Sequence, residues 1–249
     1  MKPEILFGIH PVHEAVRAAK REIQEVILAS GKKSGRLADI ERFALRAGIR
    51  VNQVAEEKID ALTGSGRHQG VAARVGPLPL YELRDMIASL ENGRAPFLLL
   101  LDQVLDPHNL GALIRTALCA GVDGILYPRD RAATPSPVVS RISAGAMEHV
   151  RMAGVTNLVS AIETLKKARF WVTGMDAAEE QSLFTADLSG PLAIIIGGEE
   201  KGIRPLVKKH CDYLVSIPQA SALNSLNASV AGAVVMYEVF RQRQLAREG

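Results

Sequence analysis

The sequence predicts an α/β protein with two domains, and three observations support this prediction. The chain has 249 residues, more than the ~100–200 residues typical of one domain. From residue 96 onward, continuous apolar segments alternate with helical patterns, which is typical of a parallel sheet covered on both faces. The segment GPLPLYEL, residues 76–83, contains two prolines and separates this part from a shorter front segment. We therefore predict domains at 1–76 and 96–249, joined by a linker and connecting helix at 77–95.

The front segment is predicted to be a small α/β unit. Apolar runs predict strands at 25–30, 49–54 and 70–75, and helical periodicity predicts helices at 34–47 and 56–64. The segment up to residue 76 has 13 Lys and Arg against 9 Asp and Glu, whereas the rest has 17 against 18. This excess indicates either a surface for a polyanion or a mildly basic solvated surface, and charge alone favours the second.

The second segment is predicted to repeat strand and helix more regularly. Strands are expected at 96–102, 124–128, 170–176, 192–197 and 213–218, and helices at 109–120, 136–147, 156–168, 205–210 and 225–245. The pattern does not determine the order of the strands. Parallel sheets bind ligands beyond the carboxyl ends of their strands. We therefore expect three polar loops, at 102–109, 197–205 and 217–229, to meet at one end of the sheet.

Several common kinds of site are not supported by the sequence. No strand is followed by a G-x-G-x-x-G dinucleotide loop, and the phosphate loop, zinc-protease and nucleophile-elbow motifs are absent. The histidines do not pair at ligand spacing, and Cys119 and Cys211 match no C-x-x-C motif, so no metal is expected. No apolar run reaches the ~18 residues of a membrane span, and the first residues lack a signal pattern. We therefore expect a cytoplasmic protein.

The loop at 102–109 and the helix that follows it contain the first candidate residues, Asn109 and Arg115. Asn109 is positioned to cap the helix at 109–120, and by itself capping explains this asparagine better than catalysis does. Arg115 is either a surface arginine or a functional cation beside Gly111, and the two readings are equally supported. This helix is expected to bury Leu110, Ile114, Ala117, Leu118 and Gly121.

The other two loops carry further candidates. Gly197 and Gly198 would allow a ligand to approach the backbone, with Glu199 and Glu200 as acceptors. The alternative is a glycine loop with solvated acids that leads into a helix starting at Pro205. In the third loop, Asn224, Ser225, Asn227 and Ser229 are more hydrogen-bonding side chains than a helix cap needs.

Together the three loops resemble the motifs of the SpoU family of RNA ribose 2′-O-methyltransferases. The matching segments are LDQVLDPHNLGALIRTA at 101–117, IIIGGEEKGIRPLV at 194–207 and IPQASALNSLNASVAGAVVMYE at 217–238. The front segment, with GSGRHQGVAA at 64–73, resembles the substrate-recognition domain of the RlmB-type rRNA enzymes within this family. The third motif departs from the family pattern, since Gln219 and Ser221 replace its usual Met and Gly.

The resemblance implies S-adenosylmethionine as cofactor, a C-terminal trefoil knot of the SPOUT class, and a homodimer with sites near the subunit interface. It implies that the cofactor is held by Gly197, Gly198, Ile217 and Leu226. It also implies a catalytic neighbourhood formed by Asn109, Arg115, Glu199, Ser225 and Asn227.

The implied reaction is methylation of a guanosine 2′-hydroxyl in 23S rRNA. A tRNA ribose methyltransferase and a non-catalytic RNA-binding assembly factor are the alternatives, and a dinucleotide-dependent oxidoreductase is remote. Family accounts favour the motif-one arginine as the base, but a free guanidinium stays protonated at neutral pH. Arg115 would therefore act as a base through an RNA phosphate, or stabilise developing oxyanion charge. Asn109 would hold its guanidinium.

Overall fold

The computed structural model describes residues 3–31, 34–90, 93–220 and 226–248. The chain divides into two compact units. The first comprises Met1–Pro79 and Pro135–His149, and the second comprises Leu80–Thr134 and Val150–Gly249.

The strands of the described residues, in chain order, are β1 (Glu4–Phe7), β2 (Ile23–Ala29), β3 (Arg50–Val54), β4 (Val71–Val75), β5 (Phe97–Asp102), β6 (Gly124–Pro128), β7 (Met152–Val155), β8 (Trp171–Met175), β9 (Leu192–Gly197) and β10 (Tyr213–Val215). The α-helices are α1 (Ile9–Ala18), α2 (Gly35–Arg46), α3 (Glu56–Thr63), α4 (Leu83–Ala88), α5 (Pro107–Cys119), α6 (Pro137–Ile142), α7 (Leu158–Lys167), α8 (Pro205–Lys208) and α9 (Ala228–Glu248). Among the described residues, every helix is too short or too polar to cross a lipid bilayer.

The first unit is built on a mixed sheet with the order β1-β4-β2-β3. β4 pairs antiparallel with both β1 and β2, and β2 pairs parallel with β3. Apolar residues of these strands pack with the buried faces of α1 and α2, and Leu6, Val26 and Ile40 are fully buried there. The α/β character predicted for the front segment is therefore present. β1 and α1 lie in residues 1–24, for which the apolar pattern predicted no element.

The segment Pro135–His149 belongs to the first unit, although it follows the second unit's β6 in the chain. The single helix predicted at 136–147 is wrong. The structure has α6 and a separate 3-10 helix at Ala146–Glu148, because the backbone turns left-handed at Ala144 and Gly145. A Cβ atom on Gly145 would lie 2.7 Å from Cβ of Glu14, so only glycine allows this approach to α1.

A buried ion pair holds the end of this segment. Nε of Arg21 lies 3.0 Å from Oε2 of Glu148, and both side chains are 1% exposed. Arg21 also donates to Glu4 and to the carbonyl of Gly76, while the Ser140 hydroxyl donates to Glu148 at 2.7 Å. Buried charges are stable only when they are paired and hydrogen-bonded in this way.

The second unit contains a six-stranded parallel sheet with the order β10-β8-β9-β5-β6-β7. The parallel sheet predicted from the apolar runs is confirmed, and its strands β5, β6, β7 and β9 are almost entirely buried. β7 was missed, and β10 ends at Val215 rather than at 218. From β5 the chain adds β6 and then β7 on one side of the sheet, and it then crosses over to build β8, β9 and β10 on the other side. The order in which strands are added therefore reverses between the neighbouring strands β5 and β9. Ligand sites form at such reversals.

The register brings the carboxyl ends of these two strands together, since Asp102 of β5 pairs with Gly197 of β9. The loop after β5, the loop after β9 and the start of α9 therefore lie at the same end of the sheet. The trefoil knot stays a prediction, because residues 221–225 lie outside the described part of the chain.

Candidate functional site

Three side chains from the three predicted loops form one hydrogen-bond cluster. Nδ2 of Asn109 donates to Oε1 of Glu199 at 2.5 Å, and Nδ2 of Asn227 donates to the same oxygen. Asn227 also donates to Oδ1 of Asn109 at 3.1 Å. Its own Oδ1 accepts from the backbone N–H groups of Ser229 and Val230, so Asn227 caps α9 while its amide nitrogen faces the cluster. One carboxylate thus joins the ends of β5, β9 and the entry to α9.

A buried carboxylate positions the loop that carries Glu199. Asp102 is fully buried at the end of β5, and it accepts from Nε of Arg204 at 2.7 Å and from the Arg204 backbone N–H at 2.8 Å. Gly198 packs directly against the next residue of the β5 loop, since a Cβ atom there would lie 2.4 Å from the carbonyl oxygen of Gln103. These contacts hold the two loops at a distance that no larger residue at 198 would allow.

One cavity at this end of the sheet, of about 320 Å³, has Gly197 in its wall, and we call it the Gly197 cavity. Gly198, Ile217, Leu226 and Gln219 also line it, together with Asp176 and Lys208, which form an ion pair with each other. Burial raises the pKa of Asp176, but the hydrogen bonds from Lys208 and the Ala178 backbone outweigh it and leave the pKa below its usual range.

A second cavity of about 530 Å³ is also lined by the 198–202 loop, and we call it the Asn109 cavity. Its lining includes Asn109, Glu199, Asp106, Arg131 and Lys201. Gly198, Glu199 and Ala228 line both cavities, so the hydrogen-bond cluster lies between them. A ligand in each cavity would meet the other beside Glu199.

Asn109 does not cap α5, so the prediction that this asparagine is a helix cap is wrong. The helix begins at Pro107, and the Asp106 side chain caps it by accepting from the His108 backbone N–H at 2.9 Å. Proline at the first helical position and aspartate before it are the usual signals of a helix start. Asn109 is instead buried and bonded to Glu199 and Asn227.

Arg115 lies apart from this cluster in the single chain. Six residues correspond to a rotation of about 240° around a helix, so Arg115 leaves α5 from a different face than Asn109. Its side chain is exposed, and within the described residues it forms no hydrogen bond with Asn109, contrary to our expectation. The predicted burial of Leu118 and Gly121 is also wrong, since Leu118 is 40% exposed and Gly121 is exposed as well.

Two further predicted positions, Ser225 and Ser221, lie outside the described residues, as does Asn224. Sequence reasoning missed Asp102 and Arg204 as the pair that holds the loop, and it missed Asp176 and Arg131 as cavity residues. Asp102 and Asp176 are the last residues of predicted strands, and Arg131 and Arg204 follow predicted strands. Their position could have drawn attention, but nothing in the local sequence indicates which neighbours they meet.

Comparison with known proteins decides the family. The profile of the SpoU rRNA Methylase family matches residues 96–237. A second profile, RNA 2′-O ribose methyltransferase substrate binding, matches residues 5–81. The chain belongs to the SpoU rRNA methylase family. The three-loop cluster and both cavities lie within the first match.

Curated relatives in this family match nearly the whole chain. The 23S rRNA (guanosine-2′-O-)-methyltransferase RlmB of Yersinia pestis is 38% identical and covers 97% of this chain and 98% of its own. The RlmB of Xanthomonas campestris is 40% identical over 96% of each chain.

Solved structures show the same fold. The SpoU methyltransferase AviRb of Streptomyces viridochromogenes, in complex with AdoMet, is 25% identical with a TM-score of 0.80, covering 97% of this chain and 91% of AviRb. The TrmH/SpoU tRNA modifying enzyme of A. aeolicus is 25% identical with a TM-score of 0.57, and covers 66% of this chain and 84% of its own. The expected α/β methyltransferase fold is therefore confirmed.

Proposed function

We propose that the protein methylates the 2′-hydroxyl of a guanosine in 23S rRNA, with S-adenosylmethionine as the methyl donor. The observation that carries the proposal is the Asn109–Glu199–Asn227 cluster between two adjacent cavities. A transferase needs two substrate sites that meet at the reacting groups. The family, and the names of the full-length relatives, support the choice of methyl transfer to rRNA.

The Gly197 cavity fits S-adenosylmethionine. Its volume lies within the roughly 300–1,000 Å³ of small-molecule sites. Its wall combines apolar groups, Ile217 and Leu226 among them, with backbone at Gly197 and Gly198 and the Asp176 carboxylate. These suit a ligand that has an apolar ring and positively charged groups. When bound, this cofactor supplies an electrophilic methyl group on a sulfonium.

The chain's own residues then have to orient a weak nucleophile, the ribose 2′-hydroxyl. We propose that the Asn109 cavity receives the target nucleotide, and that the cluster presents the Glu199 carboxylate and the two amides to it. Asn109 and Asn227 hold Glu199 in one orientation, since both donate to its Oε1. A carboxylate held in this way can accept a hydrogen bond from the 2′-hydroxyl and align its oxygen. Ser225 belongs to the same proposed neighbourhood.

Arg115 enters the proposal through a second copy of the chain. α5 leaves Arg115 and Leu118 exposed, and α9, which packs against α5, leaves Val230, Tyr237 and Phe240 exposed. We propose that these faces form a homodimer and that Arg115 completes a site near the interface. Its guanidinium would then assist deprotonation of the hydroxyl or stabilise the developing charge. Light scattering should give twice the chain mass for the protein, and that of one chain for Tyr237→Glu.

The front segment, residues 1–76, is proposed to dock the RNA, with 96–249 as the methyltransferase domain in the cytoplasm. The match to the substrate-binding profile supports this division. Arg36 and Arg50 are exposed in the first unit. Replacing both with glutamate should weaken rRNA binding by at least about 10-fold, because each phosphate contact contributes electrostatically. Calorimetric S-adenosylmethionine binding should not change.

The decisive test of the reaction is transfer of labelled methyl from S-adenosylmethionine to unmodified 23S rRNA and, separately, to unmodified tRNA. We expect a single 2′-O-methylguanosine in rRNA, mapped by mass spectrometry, and its loss in Arg115→Ala. Label in tRNA alone would replace the proposed substrate. Cofactor binding without transfer to either RNA would support an assembly factor.

A further inference from the structure

The Asn109 cavity contains an arginine that the site described above does not use. Arg131 follows β6, lines the cavity with Asn109 and Glu199, and has an exposed side chain. Among the described residues it has neither an ion-pair partner nor a hydrogen-bond partner for its guanidinium. Two of the three acids that line the cavity are already engaged, since Glu199 bonds to two amides and Asp106 caps α5, and the third, Glu200, forms no ion pair with Arg131.

The backbone of Arg131 has an unfavourable conformation. Arg131 has φ 54°, in the left-handed region that residues other than glycine rarely adopt. Gln103, which lines the same cavity, has φ 60°. Non-glycine residues in this region persist where the surrounding structure holds them, and they cluster at ligand sites.

The neighbouring contacts show what holds the turn at Arg131. Two residues later, the backbone N–H of Ala133 donates to the carbonyl of Val104 at 2.8 Å. The turn therefore brings the chain back to the loop that follows β5, and Arg131 lies between two anchored segments. Its guanidinium is placed at the cavity by the backbone and not by a side-chain partner.

We propose that Arg131 binds an RNA phosphate next to the target ribose, and so positions the nucleotide in the Asn109 cavity. The inference rests on the proposed function and adds a positioning residue to it. Guanidinium groups bind phosphate oxygens through two parallel N–H···O bonds, and such contacts set the register of a nucleic acid without reading its bases. A guanidinium without an acidic partner, beside a cavity for a nucleotide, meets this requirement.

The test compares Arg131→Gln and Arg131→Lys with Arg169→Gln. Arg169 is a matched control, because it is exposed, lies in the second unit outside both cavities, and also has a left-handed backbone, φ 65°. Dissociation constants for an rRNA fragment are measured from 50 to 200 mM salt, together with kcat, KM and melting temperature. Arg131→Gln should raise KM and Kd about 10-fold with little change in kcat. The slope of log Kd against log salt should fall by about 0.7.

Arg131→Lys should retain the salt slope and recover part of the affinity, because lysine keeps the charge but not the planar pair of donors. Arg169→Gln should behave as wild type. A fragment with a single neutral methylphosphonate, on the 5′ or the 3′ side of the mapped guanosine, should bind wild type about 10-fold less tightly at one of these positions. The methylphosphonate at that position should not weaken RNA binding by Arg131→Gln any further, because this variant already lacks the contact to that phosphate.

Unchanged KM, Kd and salt slope in Arg131→Gln would overturn the phosphate site, and so would a loss confined to kcat. The wild-type protein could also fail to transfer a methyl group while Arg131→Gln still lowers the RNA affinity and the salt slope. That result would contradict the proposed reaction but support the phosphate site. If the methylphosphonate and Arg131→Gln weaken RNA binding additively, Arg131 does not contact that phosphate.

Discussion

The side-chain amide of Asn109 donates to Oε1 of Glu199 at 2.5 Å, across 90 residues of sequence. This bond couples the first turn of α5 to the loop after β9. The coupling explains why the family's first two motifs share one site although they come from different strands. It also assigns Asn109 to the orientation of a carboxylate, since no bond to Arg115 is present among the described residues.

Asn109→Ala should lower kcat for methyl transfer by on the order of 10- to 100-fold, because a hydrogen bond to a charged group contributes ~1.5–3 kcal/mol. Single-turnover transfer at saturating RNA measures the effect. The matched control is Asn157→Ala. Asn157 caps α7, since its Oδ1 accepts from the Val159 backbone N–H at 2.9 Å, and the substitution removes this cap. It should cost ~1 kcal/mol of stability and leave kcat unchanged. Equal kcat values for the two variants would contradict the role of Asn109.

Gly198→Ala should weaken S-adenosylmethionine binding. Its Cβ would lie 2.4 Å from the Gln103 carbonyl, so the 198–202 loop that lines both cavities has to move. Such overpacking costs ~1–3 kcal/mol, so titration calorimetry should show a Kd raised by about 10-fold or more. Gly190→Ala is the control, since its new Cβ would make only an ordinary contact at 3.8 Å. Similar affinities for both variants would show that the loop tolerates the shift.

The pH dependence of stability should reveal Glu148. Burial raises the pKa of this carboxyl, and the Arg21 charge and the Ser140 hydrogen bond offset the burial only in part. A raised pKa in the folded state means that the stabilisation by Glu148 is fully present below its ordinary value of 4.5 and is lost as pH rises through the folded-state value.

Glu148→Gln lacks this loss because glutamine does not ionise. Urea unfolding at pH 4, 5.5 and 7 should therefore show wild type losing stability relative to Glu148→Gln as pH rises. Arg21→Ala should steepen the pH dependence by removing the compensating charge. A wild-type advantage that grows with pH would mean that the ion pair outweighs burial.

Cys211 should be unreactive in the native protein. Burial raises the pKa of its thiol to about 12, so almost no thiolate, the reactive form, exists at pH 8. Iodoacetamide should leave the peptide containing Cys211 unmodified in native protein and alkylate it fully in guanidinium chloride. Peptide mass spectrometry measures both. Rapid alkylation without denaturant would show that the region around α8 and β10 opens.

Local signals predicted most of the second unit. Strands buried on both faces show continuous apolar runs, so β5, β6 and β9 were placed within a residue or two. β7 has only 4 residues, so its sequence offers too short a stretch for a periodic pattern to be recognised. The broken helix in 136–147 depends on the contact between Gly145 and Glu14, which lie far apart in sequence.

In the candidate site, too, some features follow from the local sequence and others depend on the tertiary structure. By itself the sequence determined that Asn109, Glu199 and Asn227 lie in or next to the loops after parallel strands, because strand ends and polar loops are local features. Only the tertiary structure decided that Glu199 accepts from both amides, that Asp106 caps α5 and that Arg115 leaves another face. Arg131 joins the cavity through a left-handed turn held by Val104. Hydrogen bonds between distant loops depend on strand order and register, and a one-dimensional pattern contains neither.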